Sequence, residues 1–160
     1  MIVLPLGIWD QLLETFRWRP SLEQIAFLDG VRSNANGVVT TLTIPNARLS
    51  AGWYRVPALA MAEAGAHFDL HGLVRLAQVH SHPGDWAEHS ADDDEFAYSQ
   101  SLGSVSIVLP WGARTRPSLQ ACTVLVRRAS GWQVVPGHEV LRTVPSVLDF
   151  RHKERQWWNR

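Results

Sequence analysis

The chain has 160 residues, of which 46% are apolar and 19% are charged, a composition that is typical of one globular domain and excludes a disordered chain. Its 15 basic residues balance its 15 acidic residues, which argues against a broad nucleic-acid-binding surface, because such a surface needs clustered Lys and Arg. The only cysteine, Cys122, excludes an internal disulfide and a multi-thiolate zinc site, and its apolar neighbours predict a buried structural thiol.

The N-terminal sequence lacks the basic segment and the small-residue cleavage site of a signal peptide. No stretch of the sequence reaches the roughly 18 consecutive apolar residues that a membrane span needs. We therefore expect a cytoplasmic protein that makes no contact with a membrane.

The first predicted element is a helix over residues 8–17, where apolar side chains recur at near-helical spacing. This helix forms most of an N-terminal segment, residues 1–19, and Pro20 ends the pattern because proline disfavours helix at the residue before it. Two β-like runs follow at 25–31 and 37–46, separated by turn-forming Asn and Gly residues, and predict a hairpin.

The remaining segments alternate between helix and strand. They comprise predicted helices over 56–66 and 90–100, predicted strands over 73–82 and 104–110, and a predicted hairpin over 118–135 with Ser130 and Gly131 at its turn. Residues 136–160 form a C-terminal extension, and its basic, aromatic end with Trp157 and Trp158 suits either a free end or a docking segment. The mixture predicts a single domain of α+β or mixed α/β class, with one sheet packed against helices.

The segment with the clearest chemistry begins at His80 and His82, at the end of the strand predicted over 73–82. Residues two apart on a strand point to the same face, so both imidazoles can approach one ion, as zinc requires at about 2.0–2.1 Å. Pro83 then ends the strand, and Ser90 begins the next predicted helix. Two imidazoles and one carboxylate from the first turn of that helix would form a zinc site that leaves one position for water.

Three adjacent carboxylates, Asp92, Asp93 and Asp94, are candidates for the third ligand. They point about 100 degrees apart on a helix, so only one can face the strand end well. Spacing alone does not choose between them. They also suit the N-terminus of a helix, where Ser90 and Asp93 would form an approximate capping box.

The fixed residues of this segment are His80, His82, Pro83, Ser90 and Asp93, and they read His-x-His-Pro, six residues, Ser, two residues, Asp. This pattern resembles the signature of the JAMM metalloproteases, a family also called MPN+ or the JAB domain. The spacing of the signature selects Asp93 over its neighbours. The family also carries an upstream glutamate, and the sequence that starts at Glu23 and ends at Gly30 resembles that segment, although Ala26 stands where prokaryotic members often have glycine.

The resemblance implies one Zn²⁺ ion held by His80, His82 and Asp93. It also implies that Glu23 acts as general base and then protonates the leaving amine, and that Ser90 supports the oxyanion by hydrogen bonding. The resemblance covers roughly residues 20–135. It implies a curved mixed β-sheet flanked by helices, similar to the cytidine-deaminase architecture.

The usual substrates of the family are amide bonds after the C-terminus of ubiquitin or of a ubiquitin-like protein. The resemblance therefore implies a zinc metallopeptidase, a deubiquitinase-like isopeptidase or peptidase, whose partner is a ubiquitin-like protein or its conjugate, with E1- or E2-like enzymes encoded beside it. A non-catalytic MPN-type scaffold or partner-binding module is the alternative. A zinc deaminase, which shares a similar fold, is excluded because it needs more than one cysteine.

Two further residues border this segment. Trp86 lies in the loop between the predicted ligands, where its ring can line the substrate groove. His89 precedes Ser90 and can touch a substrate.

Overall fold

The computed structural model describes residues 1–147, which form one large mixed sheet, one small hairpin and several helices. The strands are β1 (Ile2–Pro5), β2 (Gln24–Ser33), β3 (Asn36–Thr43), β4 (Arg48–Leu49), β5 (Tyr54–Arg55), β6 (Val74–Ser81), β7 (Val105–Leu109), β8 (Thr123–Arg128), β9 (Gly131–Val135) and β10 (Leu141–Val144). The α-helices are α1 (Leu6–Arg17), α2 (Ala58–His71), α3 (Ala91–Phe96) and α4 (Gly137–Val140), and short 3₁₀ turns span Pro110–Ala113 and Leu119–Ala121.

The large sheet has eight strands in the order β10-β1-β3-β2-β6-β7-β8-β9, and β4 pairs with β5 in a separate ribbon. Strand β2 is antiparallel to both β3 and β6, whereas β6 and β7 run parallel. The central strands carry almost continuous buried side chains, as expected for strands with both faces covered. The predicted fold, a mixed sheet flanked by helices, is therefore confirmed.

Helix α1 packs on the sheet through four buried side chains at helical spacing, Trp9, Leu12, Leu13 and Phe16. The indole Nε1 of Trp9 also donates a hydrogen bond to the carbonyl of Pro117, at 3.2 Å. The helix begins two residues before the predicted start because Leu6 continues directly from β1.

Helix α2 contacts the sheet differently, because Ala60 is its only buried residue. Arg75 on β6 reaches across to it: the guanidinium carbon lies 4.9 Å from the ring centre of Phe68 on α2 and 3.5 Å from that of Phe27 on β2. The same guanidinium donates to Asp29 at 3.2 Å. A partly buried cation that contacts two aromatic rings thus joins α2 to the sheet.

Strands β1 and β10 were not predicted. They pair with each other in parallel, and β1 also pairs with β3, so residues 141–144 lie beside residues 2–5. Strand β10 falls within the segment that was predicted to be a C-terminal extension, and it is an edge strand of the main sheet. The basic aromatic end with Trp157 and Trp158 lies outside the described residues.

Several predicted boundaries differ from the structure. Helix α2 continues to His71 and ends at Gly72, whose φ of 61° provides a left-handed cap. Helix α3 stops at Phe96 because the backbone N–H of Tyr98 donates to the side chain of Gln78, at 3.0 Å, instead of to a helix carbonyl. The turn between β8 and β9 lies one residue earlier than predicted. Along residues 1–147, none of the helices has the length and apolar character that crossing a membrane requires.

Cys122 is half-buried, and its Sγ donates to the carbonyl of Ser118 at 3.4 Å. Burial raises the pKa of its thiol to about 12. The thiol is therefore protonated at neutral pH, which agrees with a structural rather than a reactive cysteine.

Alanine substitutions at two glycines should change the free energy of unfolding in opposite directions. A side chain at Gly30, beside the β-bulge of β2, would overlap the carbonyl of Val38 on β3, so Gly30→Ala should lower the free energy of unfolding by about 1–3 kcal/mol. Gly65 lies inside α2 with open space around it, so Gly65→Ala should raise that free energy by about 0.5–1 kcal/mol. Urea denaturation of both variants measures the difference, and shifts of the same sign would contradict this packing.

Candidate metal centre

The structure brings together the three residues that were predicted to bind the metal. Nε2 of His80 lies 3.4 Å from Oδ1 of Asp93. Nε2 of His82 lies 3.6 Å from Oδ2 of the same carboxylate. All three side chains are buried, and one possible ligand atom from each lies within 4.8 Å of the others. The group therefore has the compactness that one metal ion requires.

The end of β6 positions the two imidazoles. His80 lies within β6, and His82 is the first residue after it. The strand ends at Ser81, one position earlier than predicted. The backbone of His82 nevertheless continues the sheet, since its N–H donates to Leu109 at 2.9 Å and its carbonyl accepts from Gly112 at 2.8 Å. The two rings consequently lie side by side, with centroids 5.0 Å apart. Glycine is required at position 112, which donates to His82, because its φ is 54° and a side chain there would overlap the backbone of Pro20.

The carboxylate is positioned by the first turn of α3. Ser90 caps this helix: its backbone N–H and its hydroxyl each donate to Oδ2 of Asp93 at 2.8 Å, and its Oγ accepts from the Asp93 N–H at 3.1 Å. The predicted capping box is therefore present, and it orients the carboxylate towards the histidines. Asp92 is exposed, while Asp94 accepts a hydrogen bond from His89 at 2.8 Å. The structure thus selects the same aspartate as the family signature.

The hydrogen bonds of His82 fix which nitrogen faces the site. Its Nδ1 lies 3.0 Å from the carbonyl of Trp86, which can only accept, so Nδ1 carries the proton and Nε2 keeps its lone pair. Burial lowers the pKa of His80, so that ring is neutral. Burial also lowers the pKa of His82, but the neighbouring carboxylates of Asp93 and Glu23 outweigh this effect and raise the pKa overall. A proton and a metal ion would therefore compete for this Nε2.

Unpaired buried atoms show that these residues fit a metal ion. Within residues 1–147, the Nε2 atoms of His80 and His82 are buried and have no hydrogen-bond partner. Such atoms carry a desolvation cost that a bound cation would remove. Burial alone would raise the pKa of Asp93, but the adjacent imidazoles of His80 and His82 and the hydrogen bonds from Ser90 hold this pKa well below its usual range. Two lone pairs and one ionised carboxylate are a suitable ligand set for a divalent ion.

Glu23 lies beside this group, immediately before β2. Its backbone N–H donates to the carbonyl of Ser50 at 2.7 Å, and its Oε1 lies 4.0 Å from Nε2 of His82. Burial raises the pKa of its carboxyl group to about 7, with further contributions from Asp93 and Asp92 and an opposing one from His82. A carboxyl group with this pKa can both accept and donate a proton near neutral pH.

A cavity of about 630 Å³ opens beside these residues. The sequence-predicted residues Glu23, Ser90 and Asp93 line it, together with the aromatic side chains of Phe27, Trp53, Tyr54, Phe96 and Tyr98. Its walls come from β2, the β4–β5 hairpin, α2, β6 and α3. The cavity is large enough for part of a substrate, and the carboxylates of the site face it.

Neither Trp86 nor His89 lines this cavity. The Trp86 ring is about half exposed and stacks on His82, with centroids 4.6 Å apart, but Trp86 is not part of the lining of this cavity. Its predicted contact with substrate stays a prediction. His89 has a buried side chain that bonds Ser106 through Nε2 at 2.8 Å and Asp94 through Nδ1, and its ring centre lies 5.5 Å from that of His80.

Tyr54 is a residue of the site that the sequence did not reveal. Its ring centre lies 5.4 Å from that of His80, and it lines the cavity. Burial and the charges of Asp93 and Glu23 raise the pKa of its hydroxyl, which therefore stays protonated. Tyr54 belongs to a strand of only two residues, for which no periodic pattern exists.

Comparison with known proteins agrees with this geometry. No family model matches the chain. A protein of Sinorhizobium fredii, named probable metalloprotease y4jG, is 36% identical over 96 residues, which cover 58% of this chain and 59% of that protein. The chain thus spans about three fifths of the length of this curated relative.

Solved structures match over almost the whole chain. Protein DSY2949 from Desulfitobacterium hafniense has a TM-score of 0.71 at 22% identity, with 95% of this chain and 98% of that chain covered. AF2198 from Archaeoglobus fulgidus, a JAB1/MPN domain protein, has a TM-score of 0.53 at 19% identity, with 90% and 99% covered. The chain has the fold of a JAB1/MPN domain. A protein from Salinibacter ruber also matches, with a TM-score of 0.57, 24% identity and coverage of 95% and 97%.

The resemblance to the JAMM/MPN+ family that the motif predicted is confirmed by these matches. The JAB1/MPN fold explains why a motif at the end of β6 and in α3 meets a glutamate that lies far upstream. In this chain, the sheet pairing of β2 with β6 brings Glu23 next to His82.

Removal of single ligands tests the metal centre. Each of His80→Ala, His82→Ala and Asp93→Ala should weaken metal binding by more than about tenfold, since even partners of metal ligands contribute that much. The exposed His138 gives a matched control, and His138→Ala should bind metal as the unchanged protein does. Metal stoichiometry after dialysis, measured by mass spectrometry, checks this. Undiminished binding in all three ligand variants would show that the metal site is elsewhere.

Proposed function

We propose that the protein is a zinc-dependent peptidase that hydrolyses the amide bond after the C-terminus of a ubiquitin-like protein, in its precursor or in a conjugate. The observation that carries this proposal is the position of the Glu23 carboxyl group beside the buried His80, His82 and Asp93 group, at the wall of a cavity. The name of the Sinorhizobium fredii relative supports metalloprotease activity.

His80, His82 and Asp93 would hold the ion. Two imidazoles and one carboxylate suit zinc, and they disfavour hard ions such as Mg²⁺, which prefer oxygen ligands. When bound, zinc would polarise the carbonyl of the scissile amide and lower the pKa of a water molecule towards about 7. The fixed hydrogen bonds of His82 and Asp93 would keep these ligands oriented without substrate.

Glu23 would handle the protons of the reaction. With a pKa of about 7, its carboxylate can take a proton from the attacking water and then deliver it to the leaving amine. Its backbone is fixed by the hydrogen bond to Ser50, so the side chain stays at the cavity wall. General acid–base help of this kind accelerates a reaction by about 10²–10⁴.

Ser90 has a definite task in this arrangement. Its single hydroxyl hydrogen is donated to Oδ2 of Asp93, and this bond positions the carboxylate. The role of Ser90 as an oxyanion donor stays a prediction, because the hydroxyl would have to turn away from Asp93 to fulfil it.

The substrate would enter as an extended peptide. The β4–β5 ribbon borders the cavity, and extended peptides bind proteins by adding a strand to such an edge. The flexible C-terminal tail of a ubiquitin-like protein suits this mode. E1- or E2-like enzymes encoded nearby would then supply the conjugates.

Loss of the Glu23 carboxylate tests the chemistry separately from metal binding. Glu23→Gln should lower the cleavage rate of a ubiquitin-like domain fused to a short C-terminal peptide by about 10²–10⁴, with zinc content unchanged. Glu63 is exposed on α2 and does not line the cavity, so Glu63→Gln should cleave at the normal rate. A chelator should stop cleavage. Equal cleavage with and without chelator by every variant would refute the metal mechanism, and bound zinc without any cleavage would favour the scaffold alternative.

A further inference from the structure

Two arginines face each other on the β4–β5 ribbon. Arg48 and Arg55 are directly opposed in its register, so their Cβ atoms lie about 4.5–5.5 Å apart. Like charges at such positions repel and destabilise the pair. Both side chains are exposed, and within residues 1–147 neither forms a salt bridge or a side-chain hydrogen bond with another residue. The ribbon therefore carries a concentrated positive charge that the described chain does not neutralise.

Both arginines line the cavity that also holds Glu23 and Asp93. The other charged group at its wall is Asp92, which precedes Asp93 in the first turn of α3. The cavity wall thus carries carboxylates from Glu23 and α3 and two guanidinium groups from the ribbon. Phe96 lies under Arg55, with the guanidinium carbon 5.8 Å from its ring centre, and this contact limits the directions in which the guanidinium can point.

The separation between Arg48 and Glu23 can be expressed as a number of substrate residues. The Glu23 N–H is bonded to Ser50 O, and Arg48 lies two residues before Ser50 along an extended segment. Two residues of extended chain span roughly 7 Å. If a substrate strand lies alongside the ribbon with its scissile amide at the Glu23 carboxyl group, its residues two or three positions from that amide therefore lie beside the arginines.

Planar guanidinium groups bind carboxylates through paired, charge-assisted hydrogen bonds. We propose that Arg48 and Arg55 form a subsite for an acidic side chain of the peptide substrate, two or three residues from the cleaved amide. The inference rests on the proposed function only in taking the substrate to be a peptide. It restricts the candidate ubiquitin-like tails to those with Asp or Glu near the C-terminus, and basic tails would be repelled.

Peptide binding tests this subsite without relying on turnover. Zinc-loaded Glu23→Gln protein is immobilised and exposed to a positional library of acetylated hexapeptides, and the retained peptides are quantified by mass spectrometry. At one or two adjacent positions, Glu should be retained about tenfold better than Gln, and Lys should be retained worse than Gln. This preference should weaken as salt is added. Equal retention of Glu, Gln and Lys at every position would overturn the proposal.

Substitutions of Arg48 and Arg55 then test whether these two residues cause the preference for acidic peptides. Arg48→Gln with Arg55→Gln should abolish it, and Arg48→Glu with Arg55→Glu should reverse it in favour of Lys. Arg19 and Arg128 are exposed and do not line the cavity, so Arg19→Glu with Arg128→Glu makes the same change in net charge and should keep the acidic preference. An acidic preference that survives in the Gln pair, or vanishes equally in this control, would refute the assignment. Chelator-sensitive cleavage without any charge preference would refute the subsite alone, whereas charge preference without cleavage would refute only the peptidase.

Discussion

The hydrogen bonds between Ser90 and Asp93 determine whether the site exists. Helix α3 has only six residues, too few to be stable by itself, so its position depends on its cap and on its contacts with the sheet. The same carboxylate completes the cap and faces His80 and His82. Helix formation and ligand orientation are consequently one event. A change at Ser90 would disturb both, even though Ser90 itself is not a ligand.

This arrangement has a cost that a metal ion would offset. The buried Nε2 atoms of His80 and His82 are removed from water and have no hydrogen-bond partner among residues 1–147. Binding of an ion to the folded state alone would stabilise that state by mass action. The burial that isolates the histidines also raises the pKa of Glu23 to about 7, so one desolvated environment prepares both the ligands and the proton acceptor.

The site residues that were identified from the sequence are positioned by interactions between neighbouring residues. A strand places His80 and His82 on one side, a proline ends it, and an N-cap residue fixes Asp93 three positions later, so a short window of sequence specifies most of the centre. The predicted helices and central strands were found, with shifted ends, because side-chain periodicity, helix propensity and capping all act between neighbouring residues. Glu23 required the family signature, since only the pairing of β2 with β6 brings it to the site.

What the sequence did not reveal depends on contacts between distant segments or on very short elements. Strands β1 and β10 pair across almost the whole described chain, and β4 and β5 have two residues each. Tyr54, Arg48 and Arg55 lie on that ribbon, so no local pattern marks them. Diffraction from zinc-grown crystals, measured on both sides of the zinc absorption edge, tests the centre most directly. One anomalous peak is expected within bonding distance of His80, His82 and Asp93; a peak elsewhere, with none beside these three side chains, would contradict the proposed centre.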